Sequence, residues 1–144
     1  MNDICLKAND ESNSVIVKIK DEEKSYPFDW VADERVSQQE MYNEIGEPLL
    51  HAFFEGYNCT LFTYGQTGSG KTYTMLGPFS SLFNENEIDK TGLTPRILKE
   101  LFLKLDELKK KSPSASAVVK CSCFEIYNEQ VIDLVKNKNF NFLV

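Results

Sequence analysis

Apolar residues fall along this chain in two rhythms. The first belongs to strands. Val15-Ile16-Val17-Lys18-Ile19 is a short, β-branched run that predicts a strand. Lys20-Asp21-Glu22-Glu23 reads as a charged turn, and Lys24 to Trp30 as a second strand-like run, so a hairpin is expected over residues 15–30. Pro27 has no N–H for a ladder, which confines the second strand to an edge or makes it irregular. From residue 37 the rhythm becomes helical. Met41, Ile45, Leu49 and Phe53 recur every four residues, with Ala52 beside them, giving one apolar face on a helix over 37–55. Ser37 with Glu40 three residues on is a capping box, and Val36 with Met41 a hydrophobic staple. Gly46 and Pro48 predict a kink inside the helix, and Gly56 its stop.

Strand signals then return. Cys59-Thr60-Leu61-Phe62-Thr63-Tyr64 is β-branched and aromatic and predicts a buried strand. Residues 77–92 are a long connection, longer than most, and so are expected to be mobile or functional. Thr94-Pro95 opens a helix over 95–111, with threonine as cap and proline in the first turn. Its stripe is Ile97, Leu98, Leu101, Phe102, Leu105 and Leu108. Lys109-Lys110-Lys111 complements the negative helix end, and Ser112-Pro113 closes it. A strand is expected over 116–127, broken by Asn128-Glu129 before Val131-Ile132-Asp133-Leu134-Val135. Neither a repeat nor an interdomain linker interrupts this order, so the expectation is one α/β unit.

Composition changes this picture little. At 144 residues, 42% hydrophobic and 26% charged, the chain is expected to be one ordinary globular domain. No apolar run reaches the ~18 residues of a membrane span, and Met1-Asn2-Asp3 does not open a signal peptide, so a cytosolic protein without membrane contact is expected. The net charge of −6 is concentrated at the front, where residues 1–50 hold 12 acidic and 5 basic side chains. No basic patch suggests nucleic acid as a partner. Cys121 and Cys123 lie two apart and His51 is the sole histidine, which is poor zinc spacing; small buried hydrophobes are the expected role of the cysteines. Asn58-Cys59-Thr60 matches a glycosylation sequon but falls on an expected buried strand, and is set aside.

The chemistry sits in Gly65-Gln66-Thr67-Gly68-Ser69-Gly70-Lys71-Thr72, which fits G-x-x-x-x-G-K-[ST], the phosphate-binding P-loop or Walker A pattern. Gly65, Gly68 and Gly70 permit the backbone turns that aim successive N–H groups at an anion. Lys71 can reach terminal phosphates as a point charge, and Thr72 can place its hydroxyl on Mg²⁺. The expected strand before the loop, and a short helix from Lys71 to Leu76 stopped by Gly77-Pro78, supply the context the motif needs. The fold class is therefore α/β, a P-loop NTPase-type central sheet with flanking helices, held incompletely in this chain.

Longer strings are more specific. Tyr57 through Met75 resembles the kinesin motor domain around its P-loop. So do Phe28-Asp29-Trp30-Val31 with Gln38 and Tyr42, Gly92-Leu93-Thr94-Pro95-Arg96, and Cys123 through Glu129 with Asp133-Leu134. The blocks occur in family order over roughly residues 3–135. The resemblance implies an ATP-driven, microtubule-based cytoskeletal motor. It implies that Gly65, Gln66, Thr67, Gly68, Ser69, Gly70, Lys71 and Thr72 wrap the phosphates of ATP or ADP, with Thr72 also on Mg²⁺. It puts Tyr73 where the family sets a ring against adenine; the alternative is packing of the first helical turn. Residues 77–92 resemble the family's variable loop, where nucleotide state and some inhibitors act.

The same resemblance places the family's Arg-x-Arg-Pro adenine clamp before residue 1. It places both γ-phosphate switches, and the main microtubule-binding elements, beyond residue 144. No catalytic residue is assigned within the chain, and Glu125 is read as packed or solvated rather than as a metal-site acid. The isolated chain is then expected to bind nucleotide at most weakly and not to turn it over, because the preorganised charges of phosphoryl transfer sit on the switches. Two alternatives stand beside the motor reading: a non-hydrolysing nucleotide-binding or regulatory fragment, and a truncated product whose unpaired strand edges leave it marginally stable.

Overall fold

In the computed structural model, residues 6–9, 12–19, 22–82, 84–114, 116–135 and 142–143 are described. They divide into two compact units, one through Ile97 and one from Leu98.

The first unit opens with an antiparallel meander. β1 (Leu6–Asn9), β2 (Ser14–Ile19) and β3 (Glu22–Pro27) lie side by side in that order. The expected hairpin is β2–β3, in the register Ser14↔Pro27 to Ile19↔Glu22. β1 adds a third strand that the polar front of the chain hardly signals, pairing Leu6 with Val17 and Asn9 with Ser14. β3 is an edge strand, the position at which Pro27 leaves no inner ladder bond unmade. Phe28 to Trp30 leave the sheet, although the Phe28 N–H still reaches the Asn13 carbonyl at 2.8 Å.

The helix begins at the expected cap. The Ser37 hydroxyl accepts from the Glu40 N–H at 3.2 Å, and the Glu40 carboxylate accepts from the Ser37 N–H at 2.8 Å. The Ser37 N–H, joined by the Ser37 hydroxyl at 2.7 Å, donates to the Glu40 carboxylate and holds it below the ordinary glutamate range. α1 (Gln38–Met41) then passes through a π-helical segment, Tyr42–Gly46, into α2 (Glu47–Phe54). This is the expected interruption, and its cause is specific. Pro48 has no N–H to donate, and Gly46 has no Cβ, which otherwise would lie 2.6 Å from the Tyr42 ring. The π-segment also moves the buried stripe. Gln38, Tyr42, Gly46 and Leu50 form it, while Met41, Ile45 and Leu49 are half-buried and Phe53 is exposed. Gly56 ends the helix in a left-handed conformation: its N–H reaches the Phe53 carbonyl at 3.0 Å and the Tyr57 N–H the Ala52 carbonyl at 3.1 Å.

Residues 59–64 are extended, but they enter no strand ladder among the described residues. Cys59, Leu61 and Thr63 are half-buried, whereas Thr60, Phe62 and Tyr64 are exposed, Tyr64 at 95%. The alternation of a strand is present, but the burial expected of it is confined to one face. α3 (Lys71–Met75) follows the glycine-rich loop. The long connection is not irregular: it contains two 3₁₀ turns, Phe79–Leu82 and Glu85–Lys90. Its ends meet where the Gly92 N–H donates to the Leu76 carbonyl at 3.1 Å. α4 (Leu93–Lys111) starts two residues before expectation, so Thr94 and Pro95 lie inside its first turn, where Pro95 gives up no intrahelical bond. Leu93, 1% exposed, and Leu50, 2%, are the best-buried apolar residues of the first unit.

In the second unit α4 continues with Leu101, Phe102 and Leu105 half-buried and Leu98 and Leu108 exposed. The strand expected over 116–127 divides. β4 (Val118–Val119) pairs with the two-residue β7 (Phe142–Leu143), and β5 (Phe124–Tyr127) forms a hairpin with β6 (Gln130–Asp133). Asn128 and Glu129 turn it, both with positive φ, the two-residue geometry that matches strand twist. Cys121 and Cys123 are exposed, against expectation; only the half-buried Cys59 behaves as a packed thiol, and Cys5 lies outside the described residues. Burial is missing at 121 and 123 because residues 120–123 pair with no strand among those described.

Candidate nucleotide site

The expected site residues fall on the loop 65–70 and on the first three residues of α3, Lys71, Thr72 and Tyr73. Gly70, at φ +91°, is the residue from which α3 springs, a conformation a Cβ would strain. Gly65 is also needed for space, since a Cβ there would come within 2.5 Å of the Ser69 hydroxyl. At Gly68 and Gly70 an added Cβ would meet nothing within 4 Å, so the loop leaves open space on that side. The Ser69 N–H closes the turn on the Gln66 carbonyl at 3.2 Å, and the Thr74 N–H makes the first α3 bond to the Gly70 carbonyl at 2.8 Å.

Lys71 is held inside the loop. Its Nζ donates to the Gly65 carbonyl at 2.8 Å and to the Gln66 carbonyl at 2.7 Å. The side chain thus bends back over the loop that precedes it, and its charge stands among the glycine-rich backbone. Thr67, Ser69 and Thr72 are exposed, so the same short stretch presents three hydroxyls to solvent. No Asp or Glu occurs from residue 57 to 83, so nothing in the loop's own sequence opposes an anion. The donor set of one ammonium, three hydroxyls and turned backbone N–H groups fits a polyphosphate, with the Thr72 hydroxyl a ligand suited to Mg²⁺.

Tyr73 is 52% exposed, on the second residue of α3 past the lysine. About half of its surface is therefore open to solvent. Its backbone carbonyl is doubly engaged: the Gly77 N–H and the Gln38 side-chain amide both donate to it, at 2.8 and 2.7 Å. Gln38 is itself 7% exposed, a buried polar residue that this bond satisfies.

Three residues near the loop carry structural roles that sequence reasoning did not assign. Gln38 and Arg96 entered only as letters of the blocks that resemble the kinesin motor domain, and Gln39 only as a residue inside the capping box. The structure gathers them. Arg96 Nε donates to the Thr91 carbonyl at 2.7 Å, and Nη2 to the carbonyls of Ile88 and Asp89 at 3.2 and 3.0 Å. Nη1 donates to the Gln39 side-chain oxygen. The available signal was an arginine placed a few residues after a 3₁₀ turn whose last carbonyls need partners. Glu87, in that turn, is held below the ordinary glutamate range by the Ser80 hydroxyl and the Lys90 ammonium. Glu125 lies exposed on β5, opposite Ile132, and joins no metal-ligand cluster among the described residues.

A glycine-rich turn that launches a helix, with a lysine folded over it, belongs to the P-loop NTPase class, and a solved neighbour carries the comparison further. It is Drosophila NOD, docked with bovine tubulin into a cryo-EM map of nucleotide-free NOD complexed to the microtubule. The chain superimposes on it with a TM-score of 0.73 at 29% identity, covering 96% of this chain and 46% of that one. The kinesin motor domain family model matches residues 2–143, and the chain belongs to that family. Among curated relatives, kinesin-like protein KIN-12E of Oryza sativa subsp. japonica is 45% identical over 121 residues, which is 83% of this chain and 6% of that protein. Kinesin-like protein KIN-12B of Arabidopsis thaliana is 38% identical over 143 residues, 94% of this chain and 11% of that protein. The chain thus spans about a tenth or less of these relatives' length. Among the described residues no helix is long and apolar enough to cross a membrane.

Proposed function

We propose that Gly65 to Tyr73 binds ATP or ADP with Mg²⁺, as the nucleotide cradle of a kinesin-like, microtubule-based motor of the cytoskeleton. One observation carries this reading: Lys71 Nζ is bonded to the Gly65 and Gln66 carbonyls, across a loop whose Gly65, Gly68 and Gly70 all have positive φ. Gln66, Thr67, Gly68 and Gly70 supply N–H donors to the phosphates, and Ser69, whose N–H closes the turn on Gln66, supplies its hydroxyl. Lys71 exchanges its loop carbonyls for β- and γ-phosphate oxygens, and Thr72 supplies a hydroxyl to the metal. Tyr73 offers its exposed ring to the adenine face. When bound, Mg²⁺ neutralises charge between the β- and γ-phosphates.

Titration of fluorescent ATP against the wild-type chain and Lys71→Ala tests the cradle. A loss of at least about tenfold on substitution is expected, since a charge-assisted contact is removed; equal affinities would exclude a working P-loop. Co-sedimentation with microtubules tests the partner.

A second reading has its own observation. Because residues 57–83 contain no carboxylate, the cradle itself offers neither an anionic metal ligand nor a general base for water. Binding without turnover is then the expected behaviour of residues 1–144, and microtubule-stimulated phosphate release by this chain would overturn it.

A further inference from the structure

The bonds around α3 form a closed circuit, and we infer that Gln38, Gln39 and Arg96 are positioning residues for the nucleotide base. They tie loop 77–92 to the backbone of Tyr73 and so set where the Tyr73 ring stands. The inference rests on the nucleotide reading above and adds to it a set of residues that do not touch the phosphates.

α3 has five residues, too short to hold itself in water. Its geometry needs support from outside, and two bonds, from Gln38 and Gly92, supply it beside the helix's own terminal bond from Gly77. The Gly77 N–H and the Gln38 amide meet the Tyr73 carbonyl, and the Gly92 N–H meets the Leu76 carbonyl. The last of these is also the closure of loop 77–92. A Cβ on Gly92 would stand 2.6 Å from the backbone of Leu76 and Gly77, so the loop's two ends touch main chain to main chain. From there the circuit runs through Arg96. Its guanidinium gathers the Ile88, Asp89 and Thr91 carbonyls at the loop's end and donates outward to Gln39. Gln39 and Gln38 are neighbours on the first turn of α1, about 100° apart around the helix, so one can face Arg96 while the other faces α3. The ring closes at Tyr73.

The two halves of the circuit differ in kind. The Gln38–Tyr73 bond is part-buried and spans 35 positions, whereas the Arg96–Gln39 bond is exposed. An exposed bond adds little to overall stability. Its effect lies in fixing the rotation of α1's first turn, and through Gln38 the height of the Tyr73 carbonyl. The phosphate contacts, made by the loop before α3 and by Lys71 and Thr72 at its start, do not need the Tyr73 ring to stand at a set height. Stacking of a base on Tyr73 does.

Two ligands separate the effects: ATP, and inorganic tripolyphosphate, which has the phosphates and lacks the base. Each is titrated, with Mg²⁺, against the full chain and against Gln38→Leu, Gln39→Leu, Gln39→Glu and Arg96→Lys. Gln39→Leu and Arg96→Lys are expected to weaken ATP about fivefold and Gln38→Leu about tenfold, with tripolyphosphate changed less than about twofold. Gln39→Glu is expected to restore ATP binding, because a carboxylate also accepts from the guanidinium. Equal losses for both ligands, or no loss for ATP, would overturn the inference. If the wild type binds neither ligand, the nucleotide reading falls. Amide exchange at Gly77, measured without ligand, then still reads the circuit: faster exchange in Gln39→Leu and recovery in Gln39→Glu are expected, and unchanged exchange refutes the coupling.

Discussion

The loop 77–92 and the hairpin 124–133 are opposites in construction. The loop is poor in strand or helix signal, yet backbone contacts close it at both ends and Arg96 gathers its carbonyls. The hairpin is rich in signal, with Phe124, Ile126, Tyr127 and Val131 all apolar or aromatic. It is exposed at every strand position, Phe124 at 59% and Ile126 at 77%. Short polar turns become ordered when glycines allow main chain to meet main chain. Apolar strands stay unburied until a second layer covers them, and two strands alone cannot supply one. The first unit therefore owes its order to specific contacts, and the β5–β6 hairpin owes its own to the Asn128-Glu129 turn.

Substitutions should respect that difference. Leu50→Ala, in the buried stripe of the first unit, is expected to cost about 3 kcal/mol in urea unfolding, as cavities in cores do. A cost below about 1 kcal/mol would mean that the unit has no real core. Gly77→Ala comes next, at about 2 kcal/mol: its φ is +77° and the new Cβ would strike the Lys90 carbonyl. Limited proteolysis should then cut within 78–91 first; cleavage elsewhere would show that the loop is not held by its ends. Ser37→Ala, which removes the cap hydroxyl, is expected to cost about 1 kcal/mol of helix stability by circular dichroism.

The same cap carries a pH dependence. Glu40 has a lowered folded-state pKa, so its contribution is complete above the ordinary glutamate range and is lost as the pH falls below that range through the lowered value. Acid titration of Glu40→Gln should lack this component; an identical acid profile would remove the carboxylate from the account. The smallest effect belongs to the hairpin. Ile126→Thr, at a site already exposed, is expected to change stability by less than about 0.5 kcal/mol, and a larger loss would reveal a covering layer on β5.

Much of this architecture is legible in the residues. The capping box at Ser37 and Glu40, the stop at Gly56, the edge position of Pro27 and the interruption near Pro48 all depend on contacts within a few residues of each other, and each is realised. The phosphate loop is legible for the same reason. What failed to show depends on distant partners. Periodicity put Phe53 on the inner face, but the π-segment turned the stripe toward Gln38, Tyr42 and Leu50. Propensity marked residues 59–64 and 116–127 as strands but could not say which ladders they would enter. Arg96 and the two glutamines were invisible as a set because Gln39 and Arg96 stand 57 positions apart.

The meeting of Gly77 and Gly92 has a consequence for how such a chain can vary. The two ends of the segment are fixed to each other, so the part of it ahead of the carbonyls that Arg96 gathers is a detachable length of chain. Doubling that length would add only about 0.6 kcal/mol of closure entropy, and the added residues would leave α3 and the start of α4 where they are. Related chains can therefore lengthen or shorten this segment at little cost while α3 and the start of α4 keep their places, which makes it a natural place for one member of the family to differ from the next.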